Sequence, residues 1–156
     1  MHFRFGQLAG DIWLDDIQVD EVESSRDVLP RCDFSGGLDS FEDNWTVWPV
    51  DTKNTVGTVA VTGGSGQRGS AALHVHLKDP PGGSWSDFHI DHKPNLSLRK
   101  GRHDRVSFWA RAVPERDLTI AFYRPGRVYT YLGGPPGCFA SQIKLGASAD
   151  DRAPPE

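Results

Sequence analysis

Residues spaced two apart repeatedly gather the same few chemistries. His74 and His76 form one such pair, and Trp85, Asp87, His89 and Asp91 form a longer set. Trp109 and Arg111 follow, then Tyr123, Tyr129 and Tyr131. In an extended strand, residues two apart share a face, so each set is presented on one side of its segment. Indole and phenol rings offer flat apolar surfaces to the C–H face of a pyranose, while carboxylate, guanidinium and imidazole groups exchange hydrogen bonds with its hydroxyls. The collection therefore has the make-up of a sugar-binding surface. A second layer of chain lying over Trp109, Arg111 and Tyr123 accounts for the same residues as ordinary packing.

Other chemistries draw on the same residues. His74 and His76, approached by His89 and Asp91 from a neighbouring strand, would supply nitrogen and oxygen ligands to zinc or copper, although solvated or stacking histidines explain the H-x-H pattern equally. Glu42, Asp43, Asp87 and Asp91 offer carboxylates for a glycosidase pair, but nothing in the spacing sets two of them across one bond. Asp15 and Asp16, with Asp33 or a backbone carbonyl, could hold calcium; a solvated acidic strand end is the competing account. The sequence contains no G-x-S-x-G elbow, no H-E-x-x-H and no phosphate-binding glycine loop.

The elements that must position these residues are strands. Val106, Phe108, Ala110 and Ala112 alternate with Ser107, Trp109 and Arg111, and Leu118, Ile120 and Phe122 alternate with Thr119, Ala121 and Tyr123. The two runs, separated by a turn at Pro114, read as a hairpin or as strands of two facing sheets. Leu73, Val75 and Leu77 oppose His74 and His76 in the same manner, and Phe88 and Ile90 oppose His89 and Asp91. Earlier, Ile12, Leu14, Ile17, Val19 and Val22 are the apolar positions of a strand whose alternation slips at Asp15-Asp16, where a bulge is expected. Trp45 is expected in the core. Phe139, Ile143 and Ala147 are spaced as on one helical face, which predicts a short helix over 138–147. In a sandwich the outward faces of the two sheets look in opposite directions, so these residues cannot all serve one site.

The chain has 156 residues, enough for one sandwich-sized domain and too few for two. Seventeen glycines, eleven prolines and the lack of a long helical period favour an all-β chain with many turns. The net charge of −4 provides no basic field for nucleic acid or an anionic membrane surface, and no apolar run approaches the length of a membrane span. The N-terminal MHFRFGQLAG lacks the apolar core of a signal peptide, so the protein is expected to be intracellular or to begin upstream of this chain. For Cys32 and Cys138, a disulfide and two buried thiols both fit.

Three passages resemble the β-jelly-roll carbohydrate-binding modules of the family 4, 9 and 22 kind, which have a galactose-binding-like fold and occur beside glycoside hydrolases. Asp33-Phe34-Ser35-Gly36-Gly37 leading to Trp45 is similar to their opening segment. Leu96 to Gly101 followed by Ser107 to Ala112 is similar to their middle, and Gly10 to Ile17 to their closing strand. The resemblance implies an all-β antiparallel sandwich of jelly-roll type that binds a polysaccharide or oligosaccharide without altering it. Trp85, Asp87, His89, Trp109, Arg111, Tyr123, Tyr129 and Tyr131 would be its sugar contacts, and an acidic residue of the closing strand would help to hold a structural calcium. The closing strand stands first here. On this reading 1–22 is the last strand of a preceding module, or a permuted strand of this domain; 23–31 is a linker, 32–134 the binding sandwich, and 135–156 a linker, short helix and disordered tail. The parent would be an extracellular or periplasmic glycoside hydrolase, with its catalytic domain attached.

Overall fold

The computed structural model describes residues 1–6, 8–48, 56–78, 88–124, 130–131 and 140–145, with backbone alone for 123–124, 130–131 and 140–145. In chain order the elements are β1 (His2–Arg4), β2 (Gly10–Glu21), β3 (Arg26–Cys32), α1 (Gly37–Asn44), β4 (Trp45–Trp48), β5 (Gly57–Thr62), β6 (Ala72–Leu77), β7 (His89–His92), β8 (Asp104–Val113), β9 (Arg116–Ala121), β10 (Tyr123–Arg124), β11 (Thr130–Tyr131) and β12 (Ala140–Leu145). They form an all-β antiparallel sandwich.

The first sheet runs β12-β9-β1-β7-β4. The second is built around β2. β8 follows one side of that strand from Asp11 to Glu21, while β6 takes the other side at Gly10 to Leu14 and β3 takes it at Ile17 to Glu21. β5 lies outside β6. Between the sheets, Phe3, Phe5, Trp45, Phe88, Ile90 and Leu118 of the first layer and its approaches meet Ile12, Leu14, Ile17, Val19, Leu73, Val75 and Leu77 of the second, all buried in one core. Each such side chain removed from water contributes on the order of 2 kcal/mol, which is why the alternation so strongly decides the faces.

The slip at Asp15-Asp16 is a β-bulge. Asp15 pairs with Trp109 and Gln18 with Ser107, so three steps on β2 match two on β8, and Asp16 takes a φ of 54°. Asp tolerates that left-handed conformation better than most residues. The extra residue shifts the phase by one. Even-numbered Ile12 and Leu14 and odd-numbered Ile17 and Val19 therefore all reach the same core.

Two local expectations are revised and one open alternative is decided. The two runs around Pro114 are strands of facing sheets rather than a hairpin: β8 belongs to the second sheet and β9 to the first, so the chain crosses between layers at Val113–Pro114, a cis peptide. The 23–31 stretch, read as a linker, is largely β3; Pro30 lies at the register shift between Leu29 and Cys32, and an edge strand accommodates the missing N–H there. Of the stretch 138–147, expected to be a helix, the described residues 140–145 form β12, with Ile143 opposite Leu118 on the side of β9 away from β1. Its letters also alternate, and the available edge of β9 selects the strand. The one α-helix among the described residues is α1, a two-turn segment that buries Phe41. Residues 1–22 pair within this chain, β1 between β7 and β9 and β2 at the centre of the second sheet. Among the described residues no helix is long and apolar enough to cross a membrane.

Candidate functional site

The sandwich distributes the candidate residues over two opposite faces. Trp109 and Arg111 lie on β8 with His74 and His76 nearby on β6, all on the second sheet, whereas His89 and Asp91 lie on β7 of the first. The four-residue metal set joining His74 and His76 to His89 and Asp91 is therefore not assembled. Tyr123 and Tyr131 are directly paired between β10 and β11. Trp85, Asp87 and Tyr129 lie outside the described residues.

On the second sheet, one row across three strands reads His74, Trp13, Arg111. The His74 ring stacks on the Trp13 indole at 4.9 Å and 5°, and the Arg111 guanidinium carbon lies 4.1 Å from the indole centroid. Because β6 and β8 flank β2 on opposite sides, the two groups cover opposite faces of the indole. Such stacking uses up the surfaces that a sugar ring would need. In the next row Asp11 Oδ1 accepts hydrogen bonds from His74 Nε2 at 2.7 Å and His76 Nδ1 at 2.8 Å. Burial alone would raise the Asp11 carboxyl, but the hydrogen bonds from His76 and His74 outweigh it and hold the group below the ordinary aspartate value. Trp109 is half-buried beside Asp16, Gln18, Arg31 and Gln67, around an open depression of about 300 Å³.

The three carboxylates considered for calcium each have protein donors. Asp15, fully buried, accepts the Asp16 and Gln67 backbone N–H groups at 2.7 and 3.0 Å and the Ser70 hydroxyl. Asp16 accepts from Arg31 Nε at 2.6 Å, and Asp33 accepts the Ser35 N–H and hydroxyl at 3.0 and 2.7 Å. These contacts secure the bulge and the neighbouring turns.

The outward face of the first sheet is different. Register places Thr46, Asp91, His2 and Ala121 in one row across β4, β7, β1 and β9, and Trp48, His89, Arg4 and Thr119 in the next. His2 Nδ1 is 3.4 Å from Asp91 Oδ1, and His89 Nε2 is 3.3 Å from Asp91 Oδ2. The two imidazoles are 5.5 Å apart, and the Trp48 and His89 rings 6.3 Å apart at 31°. Trp48 is 47% exposed, whereas the side chains of His89 and Asp91 are only 15% and 22% exposed. An accessible indole thus stands beside a set of polar groups held by paired strands. Sequence reasoning reached His89 and Asp91 but missed His2, Arg4 and Trp48. The signal was present: Phe3 and Phe5 alternate with His2 and Arg4, and Trp45 and Val47 with Thr46 and Trp48.

A second hollow of about 410 Å³ lies between β3, α1 and His92, lined among others by Cys32, Phe34, Phe41 and Trp45. Cys32 is a free thiol, and burial pushes its pKa up, which keeps it a weak nucleophile. Cys138 lies outside the described residues. Trp45 is core, 2% exposed.

The carboxylates predict an acid limb of stability. Asp11, Asp20, Glu21, Glu23 and Asp33 are all held below their ordinary values, 3.8 for Asp and 4.5 for Glu. A lowered folded-state pKa stabilises the fold above the ordinary value, and that contribution is lost as the pH falls through the folded one. The melting temperature from these groups is expected to hold down to pH 4.5 and to decline below it. Asp104, raised by burial and by the Glu21 charge, acts in the opposite sense. Circular-dichroism melts across this range check the sign, and an Asp11→Asn, Glu21→Gln variant should show a shallower decline; an equally steep one would remove these two carboxylates as its source.

No protein-family model, curated protein or solved structure matches the chain.

Proposed function

We propose that this sandwich is a non-catalytic carbohydrate-binding module whose ligand lies on the outward face of the first sheet. The observation that carries the reading is the exposed Trp48 indole in register with His89, beside Asp91, His2 and Arg4. A pyranose ring packs its C–H face on the indole, and its hydroxyls meet imidazole, carboxylate and guanidinium within one or two strand spacings. Trp85 and Asp87, just before β7 in the sequence, belong to the same proposal, as do Tyr123, Tyr129 and Tyr131. Attachment to a glycoside hydrolase outside the cytoplasm accompanies this reading through the family resemblance alone. Glycosidase chemistry is less well supported, because among the described residues of the two rows Asp91 is the one carboxylate, and that chemistry uses two flanking the scissile bond.

The test begins with a glycan array and affinity electrophoresis through a panel of polysaccharides. With the ligand so found, Trp48→Ala should weaken binding roughly 30-fold, the loss of about 2 kcal/mol expected of an aromatic anchor. The fold should tolerate it, since nearly half of the side chain is already in water. Arg111→Ala, on the opposite face, should leave affinity unchanged. Failure of every glycan to bind, or a folded Trp48→Ala protein with full affinity, sinks the proposal.

A further inference from the structure

The separations between His2, His89 and Asp91 carry information that their identities alone do not. On the other sheet, His74 and His76 hydrogen-bond to one oxygen of Asp11 at 2.7 and 2.8 Å. His2 and His89 stand off from Asp91 at 3.4 and 3.3 Å, one at each carboxylate oxygen. Those distances exceed good hydrogen-bonding range, about 2.7–3.2 Å. Each is close to the edge of about 3.3–3.4 Å between two ligand atoms of a tetrahedral zinc ion, one measured to Oδ1 and the other to Oδ2 of the same carboxylate.

The rest of the geometry agrees. One ligand atom from each of the three residues falls within 4.8 Å of the others. His2 is on β1, His89 and Asp91 are on β7, and these strands pair in the middle of the sheet with β9 and β4 outside them, so the ligands stand on a braced backbone. The side chains are 11%, 15% and 22% exposed, which places the group in a partly desolvated setting where a divalent ion is held more strongly than in open water. We propose that His2, His89 and Asp91 form a binding site for a zinc-class divalent ion. Two imidazoles and one carboxylate select zinc and its transition-metal neighbours over calcium or magnesium, and three protein ligands leave a fourth position for water or a ligand hydroxyl. The site shares His2, His89 and Asp91 with the glycan reading, but it is argued from the spacing of their ligand atoms and not from the exposed indole.

The test uses the full chain, stripped of metal by chelation and dialysis, titrated calorimetrically with zinc chloride and followed separately by visible absorption with cobalt(II). One equivalent of zinc should bind, and cobalt should show the intense d–d bands of a four-coordinate site. His89→Ala and Asp91→Asn should each weaken zinc binding by about 100-fold or more, since even indirect disturbance of a metal site costs about 10–100-fold. His2→Gln provides a third variant should either of the others fail to fold. The double variant His74→Ala, His76→Ala should bind zinc as the parent does. Absence of zinc binding by the parent overturns the proposal, as does unchanged binding in folded His89→Ala, Asp91→Asn or His2→Gln. Loss of binding in the His74, His76 double variant would assign the ion to the other sheet. Zinc and glycan titrations are separate measurements, so either reading can fail alone.

Discussion

Asp15→Ala is expected to lose about 4 kcal/mol of folding stability, measured by denaturant unfolding at neutral pH. The carboxylate is fully buried, yet it serves three donors from two parts of the chain: the Asp16 N–H within the bulge, and the Gln67 N–H and Ser70 hydroxyl of the turn before β6. A hydrogen bond to a charged acceptor is worth about 1.5–3 kcal/mol, and truncation leaves donors buried without the acceptor that justified burying them. The three bonds are not independent, which brings the total below their sum. Asp15→Asn retains one acceptor oxygen and should lose about half as much. A cost under about 1 kcal/mol for Asp15→Ala would show that the bulge stands without it. The consequence reaches beyond stability, because the bulge lets Ile12, Leu14, Ile17 and Val19 share one core and so determines which way Trp13 and Asp11 point.

Gly10→Ala should be comparably damaging, by about 3–5 kcal/mol, for a different reason. Gly10 has a φ of +131°, a region that side chains rarely adopt. A Cβ there would lie 2.4 Å from the Val113 carbonyl oxygen, 2.5 Å from Pro114 Cδ and 2.6 Å from an Arg116 guanidinium nitrogen. None of these can yield easily. Val113–Pro114 is the crossing between sheets, and the buried Arg116 side chain is itself tied to the Leu8 and Ala9 carbonyl oxygens at 2.6 and 2.9 Å. Gly37→Ala is the comparison: its φ is +75° but nothing lies within 4 Å of the added carbon, so it should cost only about 1 kcal/mol. Equal losses for the two variants, measured by the same unfolding experiment, would show that backbone conformation rather than the close approach is what matters at Gly10.

The errors of sequence reading have a common origin. Phe139, Ile143 and Ala147 fit a helix, but Ile143 and Leu145 also alternate with Gln142 and Lys144, and the edge of β9 chose between the two patterns. Pro30 looked like the end of an element because proline cannot sit inside a paired ladder; it sits instead at a register shift on a strand paired on one side. Local letters carry no record of such partners.

The candidate face shows the same limit. His89 and Asp91 were evident as the polar side of an alternating run, and Trp48 and His2 obey the same rule, but each belongs to a run only three or four residues long. Nothing in such short runs says that they will lie against β7. The prominent Trp109–Arg111 face, conversely, lies alongside an indole sandwiched between imidazole and guanidinium, because Trp13 arrives between β6 and β8.

The amino-acid sequence by itself determined that this chain would be all-β, which side of β6, β7 and β8 would be buried, and that β2 would need an extra residue at Asp15-Asp16. Those are consequences of a two-residue period and of the free energy of removing apolar side chains from water, both of which act along a single strand. Only the tertiary structure decided which strands became neighbours. Pairing between residues far apart in the chain put His2 opposite Asp91, Trp48 opposite His89, and His74 and His76 on Asp11 in the other sheet. The chemistry of each face rests on those pairings.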